Sequence, residues 1–159
     1  LVEEEIEVAI RVTSGPLADT PHLTARRLGT IRLQLYAAPR YLARAGAPST
    51  VEELVHHDQV AFLQQVASNE PAPRVAADDV NFARAVVRAG GGIGVLPTFL
   101  VVDDLASGEL VQVLPDWTAW TGTVWFVTPH GRSPPARVVA FRDLLVETLG
   151  RTGALSTPE

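Results

Sequence analysis

At 159 residues, 47% hydrophobic and 19% charged, the chain is long enough for one domain or two small lobes sharing a hinge, and its composition is that of a folded globular protein. It has no cysteine, which excludes disulfides, thiol catalysis and cysteine-based zinc sites; all thirteen basic residues are arginines, which excludes Schiff-base lysines, Walker-type phosphate loops and Ser-Lys dyads. The net charge of −5 speaks against a nucleic-acid surface on this segment, and no apolar run reaches bilayer-spanning length.

In chain order, Glu7 to Val12 reads as a buried strand, followed by a loop marked by Ser14-Gly15-Pro16 and Asp19-Thr20-Pro21. Arg26-Arg27, the only adjacent basic pair, reads as a solvated loop. Ile31 to Ala37 alternates apolar and polar residues and predicts a second strand. Pro39 suits the first position of a helix through Ala45, which Gly46 stops. Thr50 and Glu53 form a capping-box pattern for a brief helix to His56, and Gln59 to Leu63 is the next strand. A polar loop, Ser68 to Pro73, leads to a short strand at Arg74 to Ala76. Asp78 or Asp79 then caps a helix whose apolar face is Val80, Ala83, Val86 and Val87, and Gly90 ends it. Ile93 to Leu96 is a buried strand closed by Pro97, and a helix runs from Thr98 to Gly108. Strands at Leu110 to Leu114 and Thr123 to Thr128 precede a last helix from about Pro135 to Leu149, built around Val138, Phe141, Leu145 and Leu149. Residues 151 to 159 read as a frayed tail. This alternation of strands and helices predicts α/β layers around mostly parallel strands.

Several residues stand out chemically. Gly90-Gly91-Gly92-Ile93-Gly94 follows a helix and precedes a strand, the reverse of a dinucleotide fingerprint, so tight backbone packing is expected there; the N–H groups of Gly92 and Ile93 could also face a ligand. Arg11 closes the first strand, where open sheets present ligand groups, and its fork geometry suits carboxylates; pairing with a nearby acid would explain it equally well. Thr13 and Ser14 could add hydroxyls. His56-His57-Asp58 lacks further ligands at metal spacing, so a helix-dipole role is expected for these histidines. Trp125 reads as core, while Trp117 and Trp120 flank a turn and could stack a ligand or face a partner subunit. No nucleophile–base pair, metal set or cofactor loop is visible, so no enzyme activity, metal or cofactor is expected.

Four stretches in order are similar to the effector-binding domain of LysR-type transcriptional regulators. They are Leu1 to Arg11, with Glu7 where that family usually has Asp; Leu28-Gly29 with Ala38-Pro39-Arg40-Tyr41-Leu42-Ala43 and Gly46-Ala47-Pro48; Asp78-Asp79 through Val87 to Pro97; and Leu105 to Val111 with Leu114 to Trp117. The resemblance implies a two-lobed fold like a type 2 periplasmic binding protein, with helices on both faces of each sheet. Lobe I would be residues 1 to 37 plus 127 to 150, lobe II residues 38 to 126, and 151 to 159 a tail. The family's winged helix-turn-helix and first strand-helix unit have no counterpart here, so with no initiator Met the first lobe is expected to be incomplete.

The resemblance further implies a small-molecule effector held between the lobes by Arg11, Val12, Thr13, Ala38, Pro39, Asp78, Asp79, Gly92 and Ile93. An aspartate at the helix start partly cancels the field that favours anions, which points to a hydroxylated, amide-bearing or cationic effector. Also implied are a homodimer or tetramer, DNA contact only through the absent N-terminal domain, and a cytoplasmic location without a membrane partner. A periplasmic solute receptor of the same fold is the alternative.

Overall fold

The computed structural model describes residues 6–15, 22–62, 72–130, 134–152 and Leu155. Its strands are β1 (Ala9–Thr13), β2 (Leu23–Ala37), β3 (Gln59–Phe62), β4 (Val75–Ala77), β5 (Ile93–Pro97), β6 (Val111–Val113) and β7 (Trp120–Pro129). Its α-helices are α1 (Pro39–Ala45), α2 (Val80–Arg88), α3 (Val102–Ser107) and α4 (Ala136–Thr152). The chain forms two compact units, Leu1–Ile31 with Thr121–Glu159 (unit 1) and Arg32–Trp120 (unit 2). Residues 16–21 and 63–71, which hold most of two predicted loops and the end of the Gln59 to Leu63 strand, lie outside the described residues, as do residues 1–5 of the first motif.

In unit 2, β2 pairs antiparallel with β5, Leu33 opposite Pro97 and Ala37 opposite Ile93, and antiparallel with β6. β3 pairs parallel with β4 and with β5. The pairing among the described strands is therefore mixed rather than mostly parallel. Strand–helix alternation implies parallel neighbours only where a crossover returns to the adjacent position, and β2 instead meets β5 and β6 from the opposite direction.

Both faces of this sheet are covered, and the strand period shows how. Tyr36 and Ala38 join Val60 and Leu96 in a cluster capped by Ala83 and Val87 of α2. Leu35 and Ala37, one residue out of phase, join Ile93 and Val113 beneath Tyr41 of α1. Each fully buried Val or Leu contributes about 1.5–3 kcal/mol relative to exposure. The α1 boundaries agree with the sequence reading: Pro39 stands in the first turn, and Gly46, at φ +81°, donates its N–H to the Leu42 carbonyl at 2.8 Å.

The segment before β3 departs from its expected cap. Glu52–His56 is a 3-10 helix without a side-chain N-cap, and Glu53 reaches back to the Ser49 N–H at 2.7 Å instead of completing a box with Thr50. The donor is therefore the N–H of Ser49 rather than that of Thr50, and the N-cap position falls on Val51. His57 lies in its exit turn, 3.3 Å from the Tyr41 hydroxyl, which accepts the Asp58 N–H at 2.8 Å.

Two glycines set how closely α2 and the β3 entrance approach β5. A Cβ on Gly94 would stand 2.5 Å from Val87 Cγ2, and one on Gly92 2.3 Å from the Asp58 carbonyl oxygen. The same Asp58 carbonyl accepts the Ile93 N–H at 2.8 Å. On the other flank of α2, Asp104 of α3, buried with 2% exposure, receives Arg84 at 2.6 and 2.9 Å and Arg88 at 3.2 Å.

In unit 1, β1 pairs antiparallel with β7, from Ala9 opposite Val127 to Thr13 opposite Thr123, and β7 also borders β2. Arg137, in the first turn of α4, makes a two-pronged ion pair with Glu7, its Nε at 2.9 Å. Val138 and Phe126 are buried, and the Phe126 and Phe141 rings lie 6.3 Å apart. Two expectations need correction here. The strand at Glu7 to Val12 is not buried: Ile10 and Val12, two apart and so on one face of β1, are each 46% exposed, and among the described strands β1 stands at the sheet edge. Arg26-Arg27 is not a loop but the interior of the fifteen-residue β2, whose pairing, not its apolar content, sets its length.

Gly92→Ala should lower unfolding free energy by about 2–3 kcal/mol, since its Cβ would meet a backbone oxygen that Ile93 needs. Thermal unfolding followed by circular dichroism should show a Tm roughly 4 to 10 °C lower. Asp104→Ala should cost about 1–3 kcal/mol, below the full value for a buried pair because the Arg84 side chain is one-quarter exposed and can turn to water. Asp103→Ala on the exposed side of α3 should stay within about 0.5 kcal/mol in the same denaturant titration.

Candidate functional site

The parallel strands of unit 2 end together at one edge, at Phe62, Ala77 and Pro97. In open α/β sheets ligands settle outside such carboxyl ends, where loops leave the strands and helices begin. α2 starts here. Asp79 is its N-cap: the carboxylate accepts the Phe82 N–H at 2.8 Å, and its carbonyl accepts the Ala83 N–H at 3.1 Å. Asp79 is thus committed to the helix. Asp78, beside it, is exposed and has no hydrogen-bond or ion-pair partner among the described residues.

Two aromatic side chains at this edge escaped the sequence reading. Phe82, in the first turn of α2, is 56% exposed, and Phe99, in the 3-10 turn that follows Pro97, is 42% exposed. The available signal was Phe82 standing off the Val80–Ala83–Val87 stripe, an aromatic on the polar side of an amphipathic helix. Together the edge offers one uncommitted carboxylate, two exposed rings and the Thr98 hydroxyl.

Ala38, Pro39, Gly92 and Ile93 are brought together, but at the opposite edge. Because β2 runs antiparallel to β5, pairing Ala37 with Ile93 carries Ala38 to the amino end of β5, while Asp78 follows the carboxyl end of β4. Four strand steps, roughly 13 Å, separate the two ends of β5. Ala38 and Ile93 are buried, Gly92 is pressed against Asp58, and the Ile93 N–H is used. The six candidates in unit 2 therefore occupy two places.

Ala38 and Pro39 border an open cavity of about 470 Å3 with Arg40, Arg88 and Glu109. Its cations are already engaged, Arg40 with the Arg88 carbonyl, and Arg88 with Glu109 and Asp104. Arg88 is thus charge-compensated, while Arg40 is held by a carbonyl and keeps its charge.

In unit 1, Arg11, Val12 and Thr13 are consecutive on β1. The Thr13 hydroxyl accepts the Trp125 indole N–H at 3.0 Å and donates to the Gly15 carbonyl at 2.6 Å, so its one proton is occupied. Trp125 is half-buried, with its polar atom satisfied in this way. Arg11 is exposed and unpartnered among the described residues, without the acid that would make it merely structural. Among the described residues no group of three or more His, Asp or Glu side chains is placed to hold a metal, and no helix is long and apolar enough to cross a membrane.

Residues 1–150 match the LysR substrate binding domain. The chain is 30% identical over 172 residues to the probable HTH-type transcriptional regulator LtrA of Klebsiella pneumoniae, covering 98% of this chain and 55% of that protein. It is 32% identical over 163 residues to the HTH-type transcriptional regulator CrgA of Neisseria meningitidis, covering 94% and 54%. Among solved structures, the CrgA regulatory domain superposes with a TM-score of 0.78 at 31% identity, covering 94% of this chain and 78% of that one. The regulatory domain of AphB from Vibrio vulnificus, treated with cumene hydroperoxide, gives 0.79 at 27% identity, covering 91% and 76%. The chain spans about half the length of these curated relatives, and it belongs to the LysR substrate-binding domain family.

Proposed function

We propose that this chain is the effector-sensing domain of a DNA-binding transcriptional regulator. The family match over residues 1–150 carries the reading, and the half-length alignment to HTH-type regulators supports placing DNA contact in the part of the protein outside this chain. The net charge of −5 suits a segment that does not itself meet phosphates. The regulator reading implies a cytoplasmic homo-oligomer, a dimer or tetramer. The periplasmic receptor reading finds no support among these relatives.

The effector site we propose is the carboxyl edge of β3, β4 and β5. Asp78 would be the charged group presented to the ligand, Asp79 the cap that holds the helix start still, and Phe82 and Phe99 the apolar surfaces. Unit 1, taken by itself, has Arg11 as its candidate with uncommitted donors among the described residues, while the Thr13 hydroxyl is occupied by Trp125 and Gly15 and Val12 offers only apolar packing and backbone. Ala38, Pro39, Gly92 and Ile93 would shape the sheet without touching the effector. An uncommitted carboxylate beside exposed rings favours a hydroxylated, amide-bearing or cationic molecule with an apolar part. Binding regulates only if it prefers one arrangement of the full-length protein over another, so the affinity difference between arrangements is the quantity that matters.

Translation of the coding sequence upstream of Leu1 tests the assignment: a winged helix-turn-helix is expected, and a secretory signal or lipid-attachment cysteine there would overturn it. For the site, a thermal-shift screen of the full-length protein should find stabilising ligands. Asp78→Asn should weaken the best cationic or hydroxylated ligand about tenfold, the worth of one charge-assisted hydrogen bond, and leave unfolding free energy within about 0.5 kcal/mol. Asp79→Ala should instead destabilise the apo protein by about 1 kcal/mol through loss of the cap. Unchanged ligand binding in the Asp78 variant would remove this edge from the effector site.

A further inference from the structure

The amino edge of unit 2 holds an open cavity of about 470 Å3 between the start of α1 and the end of α2. Strand pairing creates it. The end of β2 lies opposite Ile93 of β5 and Val111 of β6. Pro39 and Arg40 of α1, Arg88 and Ala89 at the end of α2, and Glu109 before β6 therefore arrive at one place.

The charges here fall into two groups. Arg84 and Arg88 are matched by Asp104 and Glu109, two cations against two carboxylates. Arg40 and Arg44 stand one turn apart on the same side of α1 and meet no carboxylate among the described residues. Both are held by carbonyls at the end of α2, Arg40 by that of Arg88 and Arg44 by that of Gly90 at 3.3 Å. A helix C-terminus supplies about half a negative charge, so the two guanidinium groups leave an excess of roughly one and a half positive charges. The chain as a whole carries −5, which makes this excess a local feature.

Arg40 is also held in position. Gly90 stands at φ +76°, and a Cβ there would come within 3.2 Å of Arg40 Cγ and Nε, so the glycine lets the arginine stem lie across the end of the helix. The bond to the Arg88 carbonyl uses one N–H of Arg40 Nη2, and the donors on Nε and Nη1 are uncommitted among the described residues. A guanidinium packed in this way loses little further freedom when an anion arrives. Beside it the α2 wall is apolar: Ala85 and Ala89 stand four apart, and both are exposed.

We propose that this cavity binds a phosphomonoester with a compact apolar body of about ten non-hydrogen atoms in all. A phosphate ester brings about 1.5 to 2 negative charges near pH 7, which matches the local excess. Its three acceptor oxygens point in different directions and can meet Arg40 with Arg44 as the second cation, whereas the two coplanar oxygens of a carboxylate serve a single fork. The body lies against Ala85, Ala89 and Pro39. The proposal does not depend on the effector site at the carboxyl edge, which uses other residues and favours the opposite charge.

Calorimetric titration of the full-length protein with phenyl phosphate is the test, with inorganic phosphate and benzoate as controls and hydrogen exchange read by mass spectrometry to place the ligand. Saturable binding of phenyl phosphate is expected, about tenfold or more tighter than either control, with exchange protection in peptides covering residues 39–45 and 85–91. Arg40→Gln should weaken it about tenfold or more, and Arg40→Lys should fall between because it keeps the charge without the fork. Ala85→Glu places a carboxylate in the cavity from an exposed helix position; it should weaken binding comparably while the Tm stays near wild type, so a folding defect cannot imitate loss of the site. Asp78→Asn should leave this binding unchanged. No saturable heat up to roughly 10 mM overturns the proposal, as does binding of inorganic phosphate or of benzoate as tight as that of phenyl phosphate. Undiminished affinity in both Arg40→Gln and Ala85→Glu, or protection confined to peptides outside residues 39–45 and 85–91, also overturns it.

Discussion

The antiparallel ladder between β2 and β5, Leu33 against Pro97 through Ala37 against Ile93, fixes which chemical groups of unit 2 can act together. Because the two strands run in opposite directions, whatever follows β2 emerges beside whatever precedes β5. Ala38-Pro39 and Gly92-Ile93 gather at one edge for that reason. The parallel register of β3 with β4 and β5 sends the start of α2 to the other edge. A one-residue slip would turn Tyr36 and Leu35 to the wrong faces and exchange two buried clusters, so burial on both sides of the sheet holds the register.

The carboxyl edge also needs α2 to sit at a defined height. Gly94 lets Val87 pack directly on β5, and the Arg84–Asp104–Arg88 ion pairs tie the outer side of α2 to α3. Asp79 closes the first turn. With the helix held at its cap, on its inner face and on its outer face, Asp78 and Phe82 project from a rigid support, which is what binding without a large ordering cost requires.

The carboxyl edge of unit 2 and the cavity of unit 1 differ in construction. The edge in unit 2 has an uncommitted carboxylate between exposed rings and is open to solvent. The cavity in unit 1, about 280 Å3, has Arg26 and Arg142 beside buried Phe126 and Val138. A ligand at any site biases a protein only through its differential affinity for alternative arrangements.

Much was legible from the residues alone because it depends on neighbours in sequence. Pro39 opening α1, Asp79 capping α2, Gly108 closing α3 and the strand at Ile93–Pro97 all follow from backbone stereochemistry and local hydrogen bonding. The ordered motifs that resemble LysR-type regulators were equally visible, and the family match agrees with them. What depends on pairing across the chain was not legible. Ile10 and Val12 look like core residues until the one-sided pairing of β1 is known, and Arg26-Arg27 looks like a loop until β2 is seen to run fifteen residues. The separation of Asp78 from Gly92, and the lining of one cavity by Arg26, Phe126 and Arg142, are decided by sheet register and helix docking. Those are long-range choices, stabilised by burial summed over many residues, and no local pattern encodes them.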